Sequence, residues 1–197
     1  MRKPWRGFLV AVVAGLLVGA PLAYSMSRQQ HRRNFRVVEE GVLYRSGQLS
    51  PAGLAGTIDD YRIKTVITLR TTRRPEEGFP DDWEAGVCAA RGLKHLRLVP
   101  KVWGPDEKGD IPADFNVRRF MEVMDDPASH PVLVHCFAGI HRTGTLVAVF
   151  RMERHRWPAD RAIAEMEFCG FDPEDMHEHI AGYLRSYRPR WRRAGEP

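Results

Sequence analysis

The sequence predicts an α/β domain: a central, mostly parallel sheet flanked by helices. Three observations carry this expectation. Strand-like runs alternate with helical patterns along most of the chain, as in parallel sheets whose strands are joined by helices. Val132-Leu133-Val134 is apolar without alternation, the pattern of a strand covered on both faces. That run ends at His135-Cys136 and reaches a second apolar segment through a short loop. In open α/β sheets ligands gather at the carboxyl ends of strands, and Cys136 stands at such an end.

The elements follow in order. Residues 35–50, FRVVEEGVLYRSGQLS, read as two short strands around Glu39-Glu40-Gly41. Ser50-Pro51 is a helix cap followed by proline in the first helical position, and Leu54, Ile58 and Tyr61 then share one face. KTVITLR is a buried-strand pattern. PDDWEAGVCAARG reads as a helix with Trp83, Val87 and Ala90 in register and Gly92 as its stop. LKHLRLV alternates like a strand. Val117, Phe120, Met121 and Met124 form a helical face; a further helix follows Thr143, another opens at Trp157-Pro158, and a last runs from about Pro173 to Tyr187.

The chain has 197 residues, enough for one full-sized domain with extra segments. Its net charge is +5, and part of that excess sits at the termini, so the body is too weakly basic to suggest a nucleic-acid partner. Cys88, Cys136 and Cys169 form no C-x-x-C pair, which argues against a disulfide framework or a zinc cage. Three regions are expected: residues 1–34 as an N-terminal segment and basic tether, 35–188 as the domain, and 189–197 as a basic, solvated tail with lipid contact through Trp191 as its rival. Residues 7–27 carry no charge and just reach the ~30 Å of a bilayer core as a helix. The expectation is a single-pass N-terminal anchor with the body, residues 35–188, on the extracytoplasmic side. The alternative is export after cleavage near Ala23-Tyr24-Ser25.

The loop Cys136–His141 and the helix that follows suggest an anion site. Backbone N–H groups at a helix N-terminus attract negative charge. Gly139 lets the backbone curl, and Arg142 offers a planar fork to two phosphate oxygens. The same surroundings favour a thiolate at Cys136, so a nucleophilic sulfur would lie at the floor of a phosphate cradle. Thr143 is expected to hydrogen-bond that thiolate, and His135 to fix the loop through backbone hydrogen bonds. A cysteine after a buried strand is usually only a small apolar residue. Here, however, the spacing is H-C-x-x-G-x-x-R-T-G, expected by chance on the order of once in 10⁵ sequences, which decides for chemistry.

This spacing resembles the signature loop of the protein tyrosine phosphatase superfamily, and more narrowly its dual-specificity branch. GVLYRSGQLSPAGL, TVITLR and RHRWPADRAIAEM also look like segments of the small atypical dual-specificity phosphatases, over residues 35–187. The resemblance implies a cysteine-dependent phosphatase fold that hydrolyses phosphate monoesters through a phosphocysteine. Cys136 is the nucleophile, and Phe137, Ala138, Gly139, Ile140, His141 and Arg142 form the substrate cradle. His135 and Thr143 support it, and neither metal nor cofactor is required. An aspartate protonates the leaving oxygen. Asp106 lies thirty residues before Cys136, close to the family separation, and Asp110 is its rival in the same loop. Asp160, in the tempting WPAD, comes after the signature loop and reads as a helix start. The variable cradle positions lack the lysines often found in relatives that act on inositol phospholipids. His141 beside Arg142 matches a plant-and-fungal type, some of which act on inositol pyrophosphates. The substrate stays open between phosphoprotein and phosphorylated small molecule. A rhodanese-like sulfurtransferase and a non-catalytic phosphate-binding module are the rival functions. Cys88 or Cys169 as a redox partner of Cys136 is the rival to two inert buried thiols.

Overall fold

A computed structural model describes residues 13, 15–22, 26, 32–72, 74–174 and 178–193. A five-stranded sheet is built from β1 (Arg36–Glu39), β2 (Leu43–Ser46), β3 (Thr65–Thr68), β4 (Lys94–Arg97) and β5 (Val132–His135), in the order β1-β2-β5-β3-β4. Only β1 runs antiparallel to its neighbour. The helices are α1 (Pro51–Tyr61), α2 (Asp82–Ala90), α3 (Asp114–Asp125), α4 (His141–Arg154), α5 (Ala159–Phe168), α6 (Glu178–Ser186) and α7 (Arg190–Arg193).

Local rules set the boundaries. Ser50 Oγ accepts the N–H of Gly53 at 3.1 Å, capping α1 ahead of Pro51. α1 ends where Arg62 turns left-handed (φ 52°) and Ile63 N–H returns to Ile58 O. α3 buries Val117, Phe120, Met121 and Met124 in a core shared with α4, α5 and α6 on one face of the sheet. The other face holds a smaller core of Tyr44, Leu54, Ile58, Val66, Cys88 and Leu133 beneath α1 and α2. β5 is buried throughout because both cores cover it, which accounts for its unbroken apolar run.

The registers align the strand ends. Ser46 and Thr68 both pair with His135, and Thr68 also pairs with Arg97. The loops after β2, β3, β4 and β5 therefore leave the sheet along one edge, and that edge carries the site.

Several expectations change. Among the described residues no helix is long and apolar enough to cross a membrane. This overturns the single-pass anchor, and the extracytoplasmic placement that rested on it falls too. Helix is present at 13, 15–22 and 26, and the rest of residues 7–27 lies outside the described residues. α2 buries Glu84 and Cys88, leaves Trp83 and Val87 half-buried, and exposes Ala90. A carboxylate takes the inward position because polar partners wait for it there. The last long helix is described over Glu178–Ser186; Pro173 and Glu174 form a turn, and residues 175–177 lie outside the described residues. The tail is docked through residue 191: Arg190 pairs with Asp125 and Glu153, and Trp191 Nε1 donates to Met152 O at 3.0 Å.

Candidate active site

The loop after β5 is bound from behind. Gln48 N–H donates to Phe137 O at 2.9 Å. Asn34 Nδ2 reaches Ala138 O and Gly139 O at 3.3 Å each, and Arg45 donates to Gly139 O at 2.6 Å. In a trans peptide a carbonyl and the next residue's N–H point opposite ways. With the carbonyls of 137–139 drawn backward, the N–H groups of 138–140 face the bowl. Gly139 N–H does so, donating to Cys136 Sγ at 3.3 Å. Gly139 has φ +74°, and a Cβ there would lie 2.5 Å from Gly47 N, so no other residue fits.

Cys136 is buried, and α4 starts five residues later, at His141. Arg142 lies in its first turn, with NH1 held by Leu69 O at 3.2 Å at the end of β3. His141 sits edge-on to Phe171, and Ile140 packs beside Gly170. Phe137 projects outward at 53 % exposure, with Arg33 over its ring at 4.0 Å and Arg70 at 4.9 Å. Thr143 Oγ1 is buried and, among the described residues, makes no hydrogen bond, so the expected bond to the thiolate is not formed.

His135 is held by its side chain: Nε2 lies 2.9 Å from Glu84 Oε2. Burial alone would raise the Glu84 carboxyl, but His135, with its hydrogen bond and its charge, His95 at 3.8 Å and the hydrogen bond from Gln48 outweigh it and bring its pKa down to about 2. Glu84 is thus ionised, and the hydrogen between the pair belongs to His135 Nε2. Gln48 Nε2 also donates to Glu84, at 2.6 Å. Gln48 therefore ties both Glu84 and Phe137 O, joining α2 to the loop. Asp81, Glu84 and His135 place one ligand atom each within 4.8 Å of one another. These groups are already engaged, Asp81 by Arg97 at 2.5 Å and by Thr68, so they form a hydrogen-bonded cluster.

The loop between β4 and α3 carries the acid candidates. Asp106 is exposed and its Oδ1 accepts the N–H groups of Lys108 and Asp110, at 2.9 and 3.0 Å. Asp110 is exposed at the other end of the same turn, where its carbonyl accepts Asp106 N–H at 2.8 Å. The feet of the loop are firmer. Asn116 Nδ2 holds Val99 O, Trp103 packs on Tyr183, and Lys101 and Trp103 line a small crevice with Arg142 and Leu146. A larger cavity of about 300 Å³ lies between α3 and the tail and shares no lining residue with the loop.

A family model described as "DSP-PTPase phosphatase fused to NAD+ Kinase" matches residues 21–181. The chain belongs to this dual-specificity phosphatase family. It is 32 % identical over 125 residues to "Inositol diphosphatase DSP4" of Arabidopsis thaliana, covering 63 % of this chain and 57 % of that protein. It is 39 % identical over 122 residues to human "Dual specificity protein phosphatase CDC14C", covering 62 % of this chain and 24 % of that protein. The matches thus span from about a quarter to just over half of those relatives. The core catalytic domain of the S. cerevisiae PP-IP phosphatase SIW14 superposes with a TM-score of 0.61 at 21 % identity, over 83 % of this chain and 91 % of that one. P. aeruginosa TpbA superposes with a TM-score of 0.58 at 22 % identity, over 79 % and 85 %. At those identities the superpositions speak for the fold.

For a dual-specificity phosphatase, Cys136, the cradle residues 137–141 and Arg142 form one continuous loop and helix start. Asp160 is elsewhere, exposed on α5 and paired with Arg185. Cys88 belongs to the core under α1 and α2, while Cys136 belongs to the opposite one, and all three cysteines are free. Burial, with Glu84 nearby, pushes the Cys88 thiol up to about 11. The residues that sequence reasoning missed are Asn34, Arg45, Gln48 and Glu84. Only Glu84 had a local signal, its spacing of four from Cys88 on one helical face.

Proposed function

We propose that this phosphatase works through a phosphocysteine. Cys136 Sγ attacks phosphorus while the inward N–H groups and Arg142 hold the non-bridging oxygens; Asp106 protonates the departing oxygen, and its carboxylate then takes a proton from the water that breaks the S–P bond. The observation that carries this reading is the Gly139 N–H aimed at Cys136 Sγ in a loop whose carbonyls are drawn away from the bowl. The match to a dual-specificity phosphatase model stands against a sulfurtransferase, and a mere binding module would have no use for the thiol.

The substrate we favour is a small molecule carrying more than one phosphate, such as an inositol diphosphate, over a phosphotyrosyl, phosphoseryl or phosphothreonyl protein. Arg33 and Arg70 flank Phe137 at the mouth, and among the described residues neither pairs with a carboxylate. Two cations free at the mouth suit charge beyond the phosphate being hydrolysed. The inositol diphosphatase among the relatives supports the same choice. The test is phosphate release from phosphopeptides and from inositol diphosphates by the purified chain. Faster turnover of the inositol diphosphate is expected, with a selective loss in Arg33→Ala and Arg70→Ala. Equal loss on both substrates would count against it.

A further inference from the structure

Arg45 occupies an electrostatically costly position. It stands on β2 with 2 % exposure and is among the largest fully buried side chains. One hydrogen bond serves it, from NH2 to Gly139 O at 2.6 Å, while Nε and NH1 are buried without a partner. No carboxylate pairs with it among the described residues. Two half-buried arginines differ: Arg97 meets Asp81 and Asp82, and Arg151 meets Glu165. Removing an ion from water without a partner costs several kcal/mol. The first turn of α4 adds to the problem, because a Cβ on Gly144 would lie 3.5 Å from Arg45 NH2, and helix N-termini repel cations.

The groups facing Arg45 are few. Burial pushes its guanidinium below the ordinary value, and the opposing negative influences come from Cys169, Glu165 and Cys136; Arg36 adds like charge. Glu165 is already engaged by Arg151 Nε and NH2. That leaves two thiols, and one of them sits in the cradle that Arg45 braces through Gly139. We infer that Arg45 is a positioning residue whose buried charge holds the Cys136 thiolate as its counter-ion. The inference rests on Cys136 as the nucleophile. It gives the arginine two functions: shaping the loop through Gly139 O, and supplying positive charge from behind, in addition to that of Arg70 and Arg142.

The experiment separates these functions by alkylating Cys136 with iodoacetamide in the full chain, read by mass spectrometry in a Cys169→Ser background. Arg45→Gln offers Gly139 O a donor but no charge; Arg45→Lys keeps the charge. In Arg45→Gln the ratio of alkylation rates at pH 6 and pH 9 should fall about tenfold or more, and Arg45→Lys should recover most of it. A ratio unchanged in Arg45→Gln overturns the inference. So does a loss equally deep in Arg45→Lys, which would make the role purely one of shape. Should Arg45→Gln fail to fold, the wild-type chain still decides. Its Arg45 guanidinium resonance should move between pH 5 and 9, and that movement should vanish in Cys136→Ser; the same movement in both overturns the inference. Alkylation reads the thiolate without turnover. Failure of the catalytic reading would appear separately, as a Cys136→Ser chain that still hydrolyses substrate.

Discussion

Two loops leave the same edge of the sheet and are built in opposite ways. The one after β5 is fixed by distant parts of the chain: Asn34, Arg45 and Gln48 hold its carbonyls, and Leu69 O holds Arg142. The one after β4 closes on itself at its tip, where Asp106 accepts from its own turn and the side chains face solvent. A nucleophile and its oxyanion donors gain from rigid placement, because dipoles already aimed need no reorganisation during reaction. A general acid has to meet the leaving group only once substrate is bound, and its hydrogen bonds tighten at that stage. Under the proposed mechanism, the contrast matches preorganisation to one loop and adaptation to the other.

The largest expected effect lies in the fixed loop. Cys136→Ser should lose turnover completely while still binding inorganic phosphate or vanadate, measured by calorimetry. Arg142→Lys should also lose most activity, since a point charge does not replace a planar fork. Retained hydrolysis in Cys136→Ser would remove the mechanism altogether.

The adaptive loop comes next. An acid is worth about 10²–10⁴ in rate when the leaving oxygen is basic, and less for an activated aryl ester. Asp106→Asn should therefore slow a natural alkyl phosphate far more than p-nitrophenyl phosphate, and should remove the basic limb of the pH–rate profile. Asp110→Asn should do neither. The reverse pattern in the two variants would move the acid to Asp110 and leave the comparison of loops standing.

A smaller effect sharpens the account of how the fixed loop is braced. The Glu84 carboxyl lies below its ordinary value of 4.5, at about 2. A depressed carboxyl lends stability that is complete above the unfolded value and lost as pH falls through the folded one. The protein should therefore lose stability between about pH 5 and pH 2, by an amount on the order of a few kcal/mol. Glu84→Gln should flatten that limb in urea melts at successive pH values and slow turnover through a displaced His135. An unchanged acid limb would exclude Glu84 as the brace.

The smallest effect belongs outside both loops. Asp160 is exposed and, among the described residues, paired only with exposed Arg185, and such pairs are worth about 0–1 kcal/mol. Asp160→Asn should leave kcat/KM and the pH profile unchanged. A lost basic limb there would displace Asp106.

The sequence by itself determined the sheet-and-helix class, the strand ending at His135, the cap at Ser50, and the loop that joins Cys136 to the helix carrying Arg142. Each of these is local: an apolar run, a capping serine before proline, or a fixed spacing between one cysteine and one arginine. A reading of hydropathy alone also suggested a membrane anchor in residues 7–27, which the described helices do not supply. The tertiary structure decided what stands behind the loop. Asn34 reaches a carbonyl 105 positions away and Arg45 one 94 positions away, and no local pattern encodes such a meeting. Glu84 was missed for the same reason. A carboxylate on a helix face reads as solvent-facing until the fold brings His135 and Gln48 to it, because burial of charge is decided by partners and the partners are set by topology.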